Sequence, residues 1–258
     1  MRLADKVILV TGSCTGIGKA IARRCVQEGA RVVLHGLETE WGEAVREELG
    51  ADKSVLVIAD LQDEATPALL VRTALDTFGR LDAVVNNAAW VASSNIHTTT
   101  PAFFRQMLEV NTLSAFFLIQ EALPHLKERR GAVLNIGSVN AWCGEPDLLA
   151  YSVSKGALMT LTRNLGDALF REEGVRVNQI NPGWVLTEKE IQRKQEHGMP
   201  VNWYELLPPE YAPSRRILDP AEIAAAAIYW LADESGPVSG QVVELEQYPV
   251  IGRNPPKK

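Results

Sequence analysis

A tyrosine and a lysine four residues apart, in the segment YSVSK, are the first residues that could do chemistry together. Positions i and i+4 share one face of a helix, so the side chains of Tyr151 and Lys155 are predicted to lie side by side. A free phenol has a pKa of about 10 and is a poor base at neutral pH. A neighbouring ammonium group stabilises the phenolate and lowers that pKa, so the pair could move a proton.

Other polar side chains collect where predicted strands end. Ser138 ends the segment LNIGS, Asn86 and Asn87 end another apolar run, and Asn111 lies in the helix that follows. Ligands of open α/β sheets bind at this carboxyl edge. Taken singly, a helix-surface Tyr/Lys pair, a strand-ending serine and a mid-helix asparagine are more often structural. Together, in this order, they indicate a site.

A glycine-rich turn, TGSCTGIGKA, follows the apolar run KVILV. Gly12 permits a sharp turn, and Gly16 and Gly18 allow the backbone of the next helix to approach a ligand. The helix N-terminus, at about Gly16, would direct its free N–H groups and positive dipole end at an anion. The turn therefore predicts a phosphate cradle, although glycine-rich βα turns also arise for tight packing.

The end of the second predicted strand bears on which dinucleotide would bind. A carboxylate at this place commonly accepts hydrogen bonds from an adenosine ribose, whereas a 2′-phosphate requires Arg or Lys. The strand ends LHGLE, in which Gly36 has no side chain, Leu37 offers no cation and Glu38 is the first acid. By elimination the unphosphorylated cofactor, NAD, is favoured over NADP.

Short β-branched runs alternate with amphipathic stretches and predict one α/β domain over residues 1–258, a Rossmann-like, doubly wound, parallel, seven-stranded sheet with helices on both faces. The strand candidates are residues 6–12, 31–36, 54–60, 82–88, 132–138, 175–181 and 241–246. The helical patterns are residues 16–29, 40–50, 63–79, 101–128, 149–173 and 219–233. The polar, punctuated segment 187–213 predicts short helices in a mobile excursion, a substrate lid or, alternatively, a disordered surface loop.

Composition excludes several classes of protein. The net charge of −6 gives no reason to expect a nucleic-acid partner. Cys14, Cys25 and Cys143 are too few and too scattered for a disulfide framework or a metal cluster, and indicate reduced thiols in the cytoplasm. No targeting segment or membrane-spanning apolar stretch is visible, so we expect no membrane partner.

From residue 5 to residue 246 the chain resembles the short-chain dehydrogenase/reductase family. The resemblance rests on TGSCTGIG, Asp60 after the third strand, NNAA, Asn111 in LEVNTLSAFF, Ser138, YSVSK and NPGWVLT. It implies hydride transfer between NAD(P) and a secondary alcohol or ketone. The family uses the spacing of Gly12, Gly16 and Gly18, G-x-x-x-G-x-G, which is wider than the familiar G-x-G-x-x-G, to bind the pyrophosphate of NAD(P). Helix-mediated association into a homotetramer is implied by the resemblance only.

The resemblance also implies residue roles. Tyr151 would be the acid/base, Lys155 would tune it and reach the nicotinamide ribose, Ser138 would hold the substrate oxygen, and Asn111 would anchor a water that relays protons. Asp60 would contact the adenine. With Tyr151 and Lys155, the implied cofactor contacts are Gly12, Ser13, Cys14, Thr15, Gly16, Ile17, Gly18, Gly36, Leu37, Asp60, Leu61, Asn87, Ala88, Ala89, Pro182, Gly183, Val185 and Thr187.

The substrate is predicted from residues beside the catalytic positions. Together with Ser138, Tyr151 and the lid, they are Trp90, Asn140, Trp142, Glu145 and Trp184. Aromatic planes mixed with amides and an acid suit a small polyhydroxylated ligand, so a sugar, polyol or sugar-derived acid is favoured. The competitor is a hydrophobic ketone or 3-oxoacyl thioester.

Two readings from other classes are weaker. The intact set of Ser138, Tyr151, Lys155 and Asn111 argues against a catalytically silent dinucleotide-binding sensor or scaffold. A nucleotide-sugar epimerase would need a larger substrate domain after Lys155. The tail, residues 247–258, departs from the family pattern and would either cover a neighbouring subunit's site or lie on the surface.

Overall fold

A computed structural model describes residues 1–196, 198–209 and 212–248 of the chain. The strands are β1 (Val7–Val10), β2 (Arg31–Gly36), β3 (Ser54–Ile58), β4 (Ala83–Asn86), β5 (Ala132–Ile136), β6 (Arg176–Pro182) and β7 (Val242–Leu245). All pair in parallel, in the order β3-β2-β1-β4-β5-β6-β7. The predicted doubly wound parallel sheet is confirmed.

The helices alternate with the strands. They are α1 (Gly16–Gln27), α2 (Thr39–Leu49), α3 (Thr66–Phe78), α4 (Pro101–Leu108), α5 (Ser114–Arg129), α6 (Asn140–Cys143), α7 (Leu149–Glu173), α8 (Glu188–Glu196) and α9 (Pro220–Leu231). The single helix predicted over 101–128 is wrong in one respect. A π-helical turn at Glu109–Leu113 separates α4 from α5, and Asn111 lies within it.

Two apolar cores lie on opposite faces of the sheet. In β1, Ile8 and Val10 belong to the core beneath α1 and α9, whereas Val7 and Leu9 belong to the core beneath α3 and α5. Because both faces are covered, every residue of this strand is buried, which explains the continuous apolar runs in the sequence. Among the described residues, no helix is both long and apolar enough to cross a bilayer.

The strand order reverses beside β1, since β2 lies on one side of it and β4 on the other. This arrangement opens a crevice at the carboxyl ends of β1 and β4, where α/β sheets bind ligands. Strands β1 and β4 end at Val10 and Asn86, before the predicted residues 12 and 88. Just beyond β1, the Thr11 N–H still donates to the Val85 carbonyl oxygen at 3.0 Å, and the glycine turn follows.

Candidate active site

The glycine turn connects β1 to α1 with little space to spare. Gly12 and Gly16 have φ values of +62° and +54°, which favour glycine. A Cβ atom on Gly18 would collide with the Gly12 carbonyl oxygen and the Asn87 amide. Thr15 is the N-cap residue of α1. The turn therefore brings the N-terminus of α1 to the crevice.

A buried histidine supports this turn. The Gly12 N–H donates to His35 Nδ1 at 3.2 Å, and His35 Nε2 lies 3.0 Å from the Ala59 carbonyl oxygen. The first bond requires an unprotonated Nδ1, so Nε2 carries the proton and donates. Burial lowers the pKa of His35, which favours this neutral form. Ser13 completes the connection, because its N–H donates to the His35 carbonyl oxygen at 2.8 Å.

The segment NNAA is attached to the same turn by Thr11. The N–H groups of Asn87 and Ala88 donate to Thr11 Oγ1 at 3.0 and 3.1 Å. The Asn87 side-chain amide donates to the carbonyl oxygens of Thr11 and Gly12 at 2.9 and 3.0 Å. Asn87 and Ala88, two of the predicted cofactor-binding residues, thus lie against the glycine turn. Ala89, the next residue, is exposed.

The adenosine side of the expected cofactor path begins at the end of β2. Only glycine fits at position 36, because a Cβ atom there would collide with Cys14 Sγ. Burial, with a contribution from Glu38, raises the pKa of the Cys14 thiol to about 11, so this cysteine fills space as an unreactive thiol. Leu37 is exposed, and Glu38 Oε1 lies 2.9 Å from Lys189 Nζ.

Asp60 and Leu61 follow β3 on the same side of the crevice. The Asp60 carboxylate accepts from the Gln62 N–H at 2.9 Å and is exposed, whereas Leu61 is buried. Ile17, in the first turn of α1, packs against the core beneath that helix.

Tyr151 and Lys155 lie on α7 next to the end of β5. Lys155 is only 2% exposed, and its Nζ donates to the Ile136 carbonyl oxygen at 2.8 Å and lies 5.8 Å from the Tyr151 ring centroid. Burial lowers the pKa of Lys155 to about 8. The expected lowering of the Tyr151 pKa by Lys155 is not what the structure shows. Burial raises the Tyr151 pKa, and a hydrogen bond with the Ser138 side chain only partly opposes it.

Hydrogen bonds fix both the backbone and the side chain of Ser138. Its N–H donates to Asn181 Oδ1 at 3.1 Å, and its Oγ accepts from the Asn140 N–H at 3.2 Å. Asn181 Oδ1 also accepts from Gln179 Nε2 at 2.7 Å, deep in the sheet. Asn140 therefore reaches the site through its backbone, and the buried Asn181, which the sequence did not single out, fixes the backbone of Ser138.

The Asn111 side chain joins the Trp90 backbone to Ser154 on α7. Its Oδ1 accepts from the Trp90 N–H at 2.7 Å, and its Nδ2 donates to the Trp90 carbonyl oxygen and to Ser154 Oγ, both at 3.0 Å. Protein partners thus occupy both ends of the side-chain amide, and the predicted role of Asn111 in anchoring a water stays a prediction. Trp90, fixed in this way, packs against Phe103 at a centroid distance of 4.8 Å.

The nicotinamide side is formed by the residues after β6. The Pro182 carbonyl oxygen accepts from the Val139 N–H at 3.1 Å, next to Ser138. A Cβ on Gly183 would collide with the Glu246 carboxylate, and Val185 forms a parallel bridge with Leu218. Thr187 Oγ1 accepts from the Glu190 N–H at 3.1 Å and so caps α8. Its hydroxyl hydrogen can still be donated to a ligand.

A polar and aromatic group combines Trp184, which follows β6, with residues of the segment 187–213. Trp184 Nε1 donates to Glu190 Oε1 at 2.9 Å, and Arg193 donates to both Glu190 oxygens at 2.9 Å. The Trp184 ring stacks on the buried ring of Trp203 with centroids 5.1 Å apart. Arg193 lowers the pKa of Tyr151 and Glu190 raises it, so both charges act on the phenol.

Trp142 and Glu145 make contacts with β7 and α7. The Trp142 indole donates to Glu244 on β7, and the Arg163 guanidinium lies 4.9 Å from its ring centroid. Glu145 is exposed and contacts α7 through its backbone N–H, which donates to Ser152 Oγ at 3.2 Å. The role of these two residues toward the substrate stays a prediction.

Besides Asn181, four residues of this site were absent from the sequence prediction. Thr11 stood inside the quoted glycine motif, and Glu190 and Arg193 lay within the predicted lid, three residues apart. The sequence therefore indicated the segments in which these three residues lie, but it did not indicate which residues they contact. His35 gave no signal, because a lone histidine near a strand end has no characteristic spacing.

Comparisons with known proteins agree with this geometry. A family model described as Enoyl-(Acyl carrier protein) reductase matches residues 12–246. L-fucose dehydrogenase from Mus musculus is 38% identical over 247 residues, covering 91% of this chain and 84% of that relative. Glucose 1-dehydrogenase 2 from Bacillus subtilis is 32% identical over 252 residues, with 95% and 94% coverage. The crystal structure of 3-ketoacyl-(acyl-carrier-protein) reductase from Brucella melitensis, complexed with NADH, matches with a TM-score of 0.83 at 27% identity, covering 94% of this chain and 97% of that one.

A dinucleotide-dependent oxidoreductase is the class of protein that this sheet and its crevice define. The glycine turn fits such a cofactor, because the Gly16 N–H already binds a carboxylate oxygen of Glu188 as it would bind a phosphate oxygen. The chain belongs to the short-chain dehydrogenase/reductase family. It is an NAD(P)-dependent enzyme that acts on CH–OH groups.

Proposed function

We propose that the enzyme oxidises a neutral sugar or polyol, or reduces the corresponding carbonyl compound. The observation that carries this proposal is the hydrogen-bonded group of Trp184, Glu190 and Arg193, of which the two charged residues act on the Tyr151 phenol. An indole face packs against the C–H face of a sugar, while a carboxylate and a guanidinium accept from and donate to its hydroxyl groups. The printed names of two relatives, L-fucose dehydrogenase and glucose 1-dehydrogenase 2, agree with this class.

The same group argues against a sugar-derived acid as the substrate. Arg193 is held by two hydrogen bonds to Glu190, so its positive charge is already compensated. A substrate carboxylate would have to displace Glu190 or lie next to it. A neutral ligand meets no such cost.

The residue roles follow from the site. When bound, NAD(P) supplies the acceptor or donor of hydride. Tyr151 takes the proton from the substrate hydroxyl during oxidation, and Ser138 donates a hydrogen bond to the substrate oxygen. Lys155, with its pKa lowered to about 8, remains largely protonated at neutral pH; it donates to the Ile136 carbonyl oxygen and would also donate to the cofactor ribose. Asn111 positions the Trp90 loop, and its backbone carbonyl is the group left to hold a relay water.

We further propose that NAD is preferred over NADP. Glu38 lies at the end of β2, and the one cation that pairs with it in the described part of the chain, Lys189, comes from the lid. A 2′-phosphate at this place would meet a carboxylate, whereas a ribose hydroxyl could donate to it. Titration with both dinucleotides tests this preference, and a tenfold tighter affinity for the phosphorylated form would contradict it.

The rival substrate is a 3-oxoacyl thioester, which the family model's description and the Brucella melitensis reductase favour. A panel of neutral aldoses, polyols, aldonic acids and a 3-oxoacyl thioester, followed by the absorbance of the reduced nicotinamide, separates the two. We expect the highest kcat/KM for a neutral aldose or polyol. Activity confined to the thioester would refute the proposal.

Replacement of the phenol tests the catalytic role. Tyr151→Phe should reduce kcat by roughly 10²–10⁴, because the proton acceptor is lost. The affinity for NAD should change little, since the ring and Lys155 remain. A matched Tyr204→Phe variant, altered in the lid, should retain turnover. A Tyr151→Phe enzyme with normal turnover would remove the assigned acid/base and leave a dinucleotide-binding protein.

We also propose a homotetramer in the cytoplasm. Leu113, Phe117 and Val153 are large apolar residues exposed on the π turn, α5 and α7, the helices through which the resemblance implies association. Cys14, Cys25 and Cys143 are all free thiols, which agrees with a reducing compartment. The tail beyond Tyr248 lies outside the described residues.

A further inference from the structure

The first turn of α8 lies directly on the first turn of α1. The Gly16 N–H donates to Glu188 Oε2 at 2.9 Å, and Glu188 Oε1 lies 3.6 Å from Lys19 Nζ. A Cβ on Gly16 would lie only 3.1 Å from the Thr187 methyl carbon, so the two turns are in close contact. A carboxylate of the chain itself therefore occupies the anion position at the N-terminus of α1.

A second contact joins the same helix to the adenosine side of the crevice. Lys189 Nζ lies 2.9 Å from Glu38 Oε1 and 5.7 Å from the centroid of the Trp41 ring. Adjacent residues of α8 thus contact the glycine turn and the entry of α2. Together these contacts hold the N-terminal turn of α8 across the expected path of the dinucleotide.

We propose that Glu188 is an affinity-determining residue for the cofactor, because its carboxylate and a cofactor phosphate compete for the Gly16 N–H. Two anions cannot share one donor without strong repulsion, so binding must displace the Glu188 side chain and, with it, the contact between α8 and α1. The observed affinity for the cofactor is then the intrinsic affinity multiplied by the fraction of molecules in which Glu188 has left the Gly16 N–H. The proposal does not depend on the sugar substrate.

The test compares Glu188→Gln with Glu196→Gln, which removes a carboxylate from the other end of α8. Glu188 is 53% exposed, so the substitution leaves the core intact. Dissociation constants are measured by calorimetry for ADP-ribose, which carries the pyrophosphate, and for adenosine, which does not. Glu188→Gln should bind ADP-ribose roughly tenfold more tightly and adenosine unchanged. Glu196→Gln should match the parent for both ligands.

Glu188→Ala serves as a second variant, because glutamine retains a hydrogen-bond acceptor. It should also tighten the binding of ADP-ribose selectively. Unchanged or weaker binding of ADP-ribose in both variants would overturn the proposal. An equal gain for adenosine would overturn it as well, since the effect would then be a general loosening of the lid. Tryptophan fluorescence provides a further readout, because displacement of Lys189 changes the surroundings of Trp41.

Discussion

Glu190 and Arg193 act on the Tyr151 phenol in opposite directions. Burial makes the largest contribution to the pKa of Tyr151 and raises it, the Glu190 charge adds to this rise, and the Arg193 charge opposes it. Because the two residues form a bidentate ion pair, their combined charge near the reacting hydroxyl is close to zero. If the proposed substrate site is correct, substrate selection and the pKa of Tyr151 depend on the same pair of side chains.

Neutralising Glu190 should change both properties at once. In Glu190→Gln the uncompensated Arg193 stabilises the phenolate, so the apparent pKa of the acidic limb of kcat/KM should fall. The ratio of kcat/KM for an aldonic acid to that for the matching neutral sugar should rise, by about tenfold or more. Glu196→Gln is the matched control and should show neither change. A pH profile that does not move would show that Glu190 lies too far from the proton in transit.

At the scale of elements, the β1–α1 turn depends on β2 as much as on its own glycines. His35 accepts from the Gly12 N–H through Nδ1, which is possible only while the imidazole is neutral. Burial lowers its pKa, and the hydrogen bond to Ala59 and the charge of Asp60 offset this only in part. Protonation would remove the acceptor and place a charge under the phosphate-binding turn.

This histidine should make stability depend on pH in one direction. Its folded-state pKa lies below the unfolded value of about 6.5, so the stabilisation is complete above that pH. As pH falls below about 6.5, the unfolded chain binds the proton first. The free energy of unfolding should then decrease by up to about 1.4 kcal/mol per pH unit until the folded pKa is reached.

Urea denaturation of the parent and of His35→Gln over this range isolates the effect. The difference between their free energies of unfolding should shrink as pH falls, because only the parent loses this contribution. At neutral pH the variant should be less stable by about 1–3 kcal/mol, the cost of disturbed buried hydrogen bonds. Parallel curves would show that His35 does not titrate differently in the two states.

At the scale of the whole molecule, the sequence predicts what periodicity and local spacing encode. The doubly wound parallel sheet, the glycine turn at its carboxyl edge and the nearness of Ser138 to Tyr151 follow from alternating patterns and from the carboxyl edge of a parallel sheet. Contacts between distant segments carry no such pattern. Tertiary packing produces the Gly12–His35 bond, the Glu188–Gly16 bond and the π turn at Asn111. Local sequence patterns therefore could not predict them.

Exposed apolar side chains on α5 and on the π turn bear on the assembly of the protein. Phe117 is 44% exposed on α5, beside the similarly exposed Leu113, and burial of these side chains against a second copy would remove apolar surface from water. Phe117→Asp should therefore convert the proposed tetramer into smaller species, seen as a lower mass in light scattering coupled to size exclusion. Ile96→Asp, at a residue 78% exposed in the loop before α4, is the control and should keep the parent mass. A tetramer that survives Phe117→Asp would place the subunit contacts on another face, because a buried aspartate without a partner costs several kcal/mol in each copy.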